Sequence, residues 1–196
     1  MISFRRPLAH ALRRKLEEQA RLNFTYAGVG ATAVDSGIAI PRGYVVDVTS
    51  IKLGEGPEVF ERAKAALRDW QQFNLNWVEA FPSDTPMRAG ETVLVVARAF
   101  GLWWTNAARI VYTIDRPDSA RSYFGFAYGT LPSHVEAGEE RFLIEWDQKS
   151  GSVEFEITAF SRPHHLLSRI ARPYVRMMQR KFASQATAAM RRAVIG

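Results

Sequence analysis

The sequence predicts an α+β fold, a curved antiparallel sheet of about six to seven strands wrapped around a long C-terminal helix. Three observations carry that reading. The segment from Ser161 to Arg192 has no glycine, and Leu166, Leu167, Ile170, Tyr174, Met178, Phe182, Ala186 and Ala189 recur along it at the spacing of one helix face. A helix of that extent is roughly 40 Å long at about 1.5 Å per residue. Ahead of it, strand-length apolar segments alternate with turn-rich pieces, a spacing that favours antiparallel pairing. Finally, Glu140, Phe142, Ile144 and Trp146 share one strand face and Glu139, Arg141, Leu143 and Glu145 the other, while Val153, Phe155, Ile157 and Ala159 oppose Glu154, Glu156 and Thr158. A sheet with one covered and one wet face has this pattern, and the C-terminal helix is the covering element.

In chain order, Pro7 to Asn23 reads as a first helix with Leu8, Leu12 and Leu16 as a narrow apolar stripe. Residues 1–24 are taken as an amphipathic basic helix and 25–196 as a single domain. Tyr26 to Gly37 is loop material; its Gly28-Val-Gly30 lacks the Gly-Lys-Ser/Thr of a phosphate loop. Tyr44 to Leu53 reads as a strand. Gly54-Glu-Gly56-Pro57 turns into a helix that presents Val59, Phe60, Ala63, Leu67 and Trp70 and ends near Phe73. A short strand follows around Leu75 to Phe81. The meander then comprises Thr92 to Phe100, Arg109 to Asp115, Tyr123 to Thr130, Glu140 to Asp147 and Ser152 to Phe160.

Composition narrows the function classes. A chain of 196 residues suits one domain with a sizeable core, and 47% apolar against 23% charged residues is globular composition. With no cysteine, disulfides, thiol nucleophiles and zinc–thiolate sites are excluded. His10, His134, His164 and His165 lack the spacing of a metal motif, so no metal and no cofactor are expected. No apolar run reaches membrane-span length and no secretory signal is visible, so a cytoplasmic protein is expected. The net charge of +6 is concentrated at the ends: residues 161–196 carry eight basic and no acidic side chains. Such ends suit weak attraction to an anionic surface, although no specific nucleic-acid motif is present.

The polar stretch from Tyr123 to Glu140 carries a more specific likeness. Tyr128-Gly-Thr-Leu-Pro132, His134, Gly138-Glu-Glu140 and Ala159-Phe-Ser-Arg-Pro163 follow Val29-Gly-Ala-Thr32, Gly43-Tyr44, Gly101-Leu-Trp103, Asn106 and Arg109-Ile-Val-Tyr112 in a distinctive order. Together they resemble the family of bacterial and plant proteins known as domain of unknown function nineteen-ninety, from Tyr26 onward. Ser133 stands where that family suggests glycine. The resemblance implies the helix-grip fold of the START-like and pollen-allergen-like superfamily and no particular activity.

Three functions follow as expectations. The first is binding of a hydrophobic small molecule or lipid between sheet and C-terminal helix. Its ligand-binding candidates are Arg98, Trp103, Asn106, Arg109, Tyr112, Tyr128 and Tyr174, since apolar pockets carry a few convergent polar groups. Arg98 and Arg109 are the expected partners of Glu140, because a carboxylate on an apolar face needs one. The second is a cavity enzyme, a cyclase, dehydratase or hydrolase, with His134 and Glu140 as acid–base pair. The third is a membrane-surface or nucleic-acid adaptor acting through the basic terminal helices.

Overall fold

The computed structural model describes residues 2–164 and 172–196. The elements run β1 (Ile2–Ser3), α1 (Ala9–Gln19), β2 (Val45–Glu55), α2 (Pro57–Arg68), a 3-10 turn (Gln71–Phe73), β3 (Val78–Phe81), β4 (Thr92–Ala99), β5 (Leu102–Arg116), β6 (Arg121–Thr130), β7 (Glu136–Asp147), β8 (Ser152–Pro163) and α3 (Arg172–Ile195). One antiparallel sheet has the order β2-β8-β7-β6-β5-β4-β3, with β1 added beside the start of β5. The sheet curls around α3, so the expected fold forms, with seven principal strands. No helix of the described residues is long and apolar enough to cross a membrane.

The last helix is described from Arg172 onward. Ser161, Arg162 and Pro163 continue β8, where Ser161 pairs with both Val45 and Gly138. The described helix covers Arg172–Ile195. Its 24 residues span about 36 Å. The expected helix positions Leu166, Leu167, Arg169 and Ile170 lie outside the described residues.

The concave face and α3 enclose the main core. Phe126, Phe142, Phe155, Ile144 and Ile157 from the sheet meet Phe73, Ala186 and Met190, all buried. Their rings pack in tilted and edge contacts, such as Phe73–Phe142 at 5.6 Å and Phe73–Phe182 at 5.1 Å. Arg62 of α2 donates to the Val194 carbonyl at 2.9 Å and so satisfies part of the C-terminal end of α3.

The outer face is wet only in part: Val46 and Val48 of β2 stay exposed, while the rest is largely covered. The chain from the N-terminus to Tyr44 folds across it. Leu12 of α1 is fully buried against Leu94, Val96, Ala107 and Leu131, while Leu8 stays exposed. Further along, Tyr26 and Tyr44 pack on Phe160 at 5.6 and 5.4 Å. Gly129 makes the seat for Tyr26: a Cβ there would stand 2.2 Å from the Tyr26 hydroxyl.

Candidate functional site

Adjacent residues of a strand point to opposite faces, so Glu139 and Glu140 of β7 enter different environments. Glu139 points outward into the covered face. The Tyr26 hydroxyl donates to it at 2.7 Å, the Gly30 amide at 2.7 Å and the Thr32 amide at 3.0 Å. The Thr32 hydroxyl also donates to Glu139, which leaves Tyr112 to donate to Thr32 at 2.7 Å. Arg141, two positions along, donates to the Thr32 carbonyl and to Glu156, each at 2.7 Å. The glycine-rich loop therefore does cradle an anion with its backbone amides, but the anion is a carboxylate of the same chain. Burial and the neighbouring Glu139 carboxylate push the Tyr26 hydroxyl well above its usual range. Tyr112 is raised to about 12, chiefly by burial.

Glu140 points to the concave side. Register aligns Asp47, Ala159, Glu140, Tyr128 and Ile110 in one row across β2, β8, β7, β6 and β5. The Tyr128 hydroxyl donates to Glu140 Oε2 at 2.5 Å; the other oxygen has no partner among the described residues. Glu140 keeps part of its surface accessible, as do Ala159 and Asp47, whereas the next row inward is packed aromatic core. Burial raises the Glu140 carboxyl to about 7; the Tyr128 hydrogen bond opposes the shift and the Asp47 charge adds to it. Tyr128 itself is pushed well above its usual range, again mainly by burial. Arg176 of α3 neutralises Asp47 through two hydrogen bonds, at 2.5 and 2.6 Å. Gln179 reaches Ser161 at 3.0 Å, so polar contacts fasten the start of α3 over this end of the sheet.

The expected site residues separate accordingly. Asn106 and Tyr128 lie on the concave face: Asn106 pairs across from Val95 and accepts the Val135 amide at 3.3 Å. Arg98, Trp103, Arg109 and Tyr112 lie on the outer side. A bulge in β5 at Val111 puts Ile110 opposite Tyr128 but Tyr112 opposite Ala127, which reverses the facing of Tyr112. Arg109 is no partner of Glu140. It donates to the carbonyls of Ala20 and Leu22 at 2.7 and 2.8 Å and so caps the C-terminal end of α1. Trp103 packs with the Leu12 cluster, and Arg98 is exposed on the outer side at the end of β4. Tyr174 stands at the rim, edge-on to Phe100 at 5.7 Å. His134 Nδ1 accepts the Glu136 amide at 3.1 Å. Glu136 lies four residues along β7 from Glu140, about 13 Å of strand, so the expected acid–base pair is not assembled.

Two open clefts lie elsewhere. One of about 470 Å³ is lined by Phe60, Lys64, Tyr123 and Trp146, and one of about 650 Å³ by Asp69, Thr85, Met87 and Phe124. Among the described residues, no group of three or more His, Asp or Glu side chains is placed to hold a metal ion.

An antiparallel sheet gripping a C-terminal helix defines a helix-grip protein. Residues 25–189 match the family model described as Domain of unknown function (DUF1990), and the chain belongs to that family. It is 35% identical to a UPF0548 protein of Dictyostelium discoideum over 207 residues, covering 99% of this chain and 96% of that one. It is 31% identical to one from Arabidopsis thaliana over 198 residues (96% and 95% covered) and 44% identical to one from Deinococcus radiodurans over 146 residues (68% and 70%). Among solved structures, Ara h 8.0201 aligns with TM-score 0.47 at 11% identity, covering 78% of this chain and 99% of that one. Human STARD10 aligns with TM-score 0.45 at 13% identity, covering 97% and 81%.

Some of the motifs that carried the likeness meet in the outer cradle. Gly30, Thr32, Tyr112 and Glu139 belong to it, and Gly129 gives Tyr26 its seat. The sequence signal missed was positional: Glu139 sits on a face that its strand pattern marks as wet, and nothing local shows that a segment a hundred residues earlier will cover it.

Proposed function

We propose that this protein binds a small apolar molecule carrying one hydrogen-bond-donating head group, between the concave face of the sheet and the start of α3. The observation that supports this is Glu140. Its carboxyl lies deep beside aromatic and aliphatic side chains, is fixed by Tyr128 through one oxygen, and leaves the other oxygen unpartnered and partly accessible. A head group that donates to this oxygen gains a hydrogen bond in a partly desolvated setting. Asn106 and Tyr128 supply further polar points beside the aromatic core, the usual composition of a small-molecule site. Asp47 is already neutralised by Arg176, so Glu140 sets the polarity at this position.

The test is native mass spectrometry of protein purified from its own host, together with fluorescence titration by the apolar probe N-phenyl-1-naphthylamine. The expected result is a retained small-molecule mass and saturable probe binding that Ala159→Phe blocks, because Ala159 sits directly across from Glu140. Probe binding unchanged in a folded Ala159→Phe variant, or no binding by the parent protein, overturns the proposal.

A further inference from the structure

The end of the sheet where α3 begins also carries a group of exposed apolar side chains. Phe100 forms the tip of the β4–β5 hairpin and is 63% exposed; it touches Tyr174 of α3, which is 59% exposed. Met177, one helical turn further, is 50% exposed. β1 pairs Ser3 with Trp103, so the next residue, Phe4, comes down beside the same hairpin tip, 88% exposed. Three elements remote in sequence thus deliver their apolar side chains to one end of the molecule, where water is the only solvent for them. Basic side chains surround them. Arg98 precedes the tip on β4, and Arg180 and Lys181 follow Met177 on α3; all three are exposed, with the Lys181 ammonium resting over the Trp77 ring at 4.8 Å. No acidic residue follows Glu156, so α3 offers nothing to offset them, and Glu79 of nearby β3 is tied to Arg6 at 2.5 Å.

Apolar tips inside a basic collar are complementary to one kind of partner, a surface that is negatively charged outside and apolar just beneath. Nucleic acid supplies the charge without the apolar layer. We propose that this end of the molecule docks on an anionic lipid bilayer, with Phe4, Phe100, Tyr174 and Met177 entering the interface and Arg98, Arg180 and Lys181 facing the headgroups. The docking does not depend on what the Glu140 carboxyl binds.

Vesicle flotation tests it, using phosphatidylcholine vesicles with and without about 30% phosphatidylserine, at low and high ionic strength. The full chain floats with the anionic vesicles at low ionic strength and much less with phosphatidylcholine alone. Arg98→Gln with Arg180→Gln weakens binding by about fivefold per charge, roughly 25-fold together. Phe100→Asn with Tyr174→Gln and Met177→Gln weakens it by at least about tenfold. Asn suits the positive φ of 55° at position 100, so the fold is retained, and unchanged thermal melting checks this. Ile195→Gln, at the far end of α3, is equally exposed and must leave binding intact. No flotation of the parent chain, or equal flotation of both docking-face variants, overturns the proposal. So does a concentration-dependent dimer in sedimentation velocity that the apolar variant abolishes, since the face then serves a second copy. Duplex DNA bound equally well by the apolar variant likewise assigns the basic collar to another partner.

Discussion

Replacing Glu140 by glutamine keeps the shape and the acceptor for Tyr128 while removing the ionisable group. The native carboxyl sits at about 7 against 4.5 for an exposed one. The native state therefore binds the proton more tightly than the unfolded chain, and its stability falls as pH rises through that window. Below pH 4.5 both states are protonated and the substitution is nearly neutral. Above about 7 the parent protein carries the full cost of an ionised, desolvated carboxylate. A shift of this size corresponds to about 3 kcal/mol, and partial access to solvent brings it nearer 2–3 kcal/mol. E140Q is expected to match the parent at pH 4.5 and exceed it by that amount at pH 8, a Tm increase of roughly 5–10 °C for a chain of this size. Urea unfolding of both proteins between these pH values measures it, and taking the difference between the two curves cancels the histidines. A difference that is flat with pH, or largest at the acid end, refutes the assignment of Glu140 as a deep carboxyl.

Other expectations use the same contacts. Tyr128→Phe removes a donor that favours the ionised carboxylate, so a 13C-detected titration of Glu140 should move upward from about 7; a downward move contradicts the hydrogen bond. Gly129→Ala forces a Cβ against the Tyr26 hydroxyl and should cost about 2–4 kcal/mol by denaturant unfolding; combined with Tyr26→Ala the loss should be far less than additive. Arg109→Ala leaves the carbonyls at the end of α1 without their donor and should cost about 1–2 kcal/mol, with faster hydrogen exchange in α1 and unchanged exchange in α3.

The fold was legible because its determinants are local and periodic. Alternation in Glu140 to Trp146 and Val153 to Ala159 fixed two strands, and the turn at Gly56-Pro57 opened α2 where the structure has it. What the sequence obscured is non-local. A one-residue bulge at Val111 is invisible in the composition of β5, yet it reverses the facing of Tyr112. Arg109 follows simple alternation and faces away from Ile110, but no sequence pattern shows α1 ending where its guanidinium reaches. At the site, Glu140 and Tyr128 were legible from parity, because Phe142, Ile144, Phe124 and Phe126 declare the face they share.

The two neighbouring glutamates show why a buried charge alone does not identify a site. Glu139 has three hydrogen-bonding residues around it, contributing two hydroxyls and two amides, and Arg141 braces the Thr32 carbonyl behind them. Its acceptor capacity is taken up by its own chain, so its work is to hold the N-terminal segment on the sheet. Glu140 has one donor and one vacant oxygen on the side of the sheet that α3 covers. The first arrangement has no further use for a ligand; the second is improved by one. Glu139→Gln should therefore destabilise the protein at every pH by replacing an acceptor with a donor that faces the Gly30 or Thr32 amide. E140Q should stabilise it above pH 7 and weaken capture of a donor head group. Opposite signs from the same substitution one residue apart, read in one set of unfolding curves at pH 8, separate the structural carboxylate from the binding one. Equal signs remove the distinction on which the binding proposal stands.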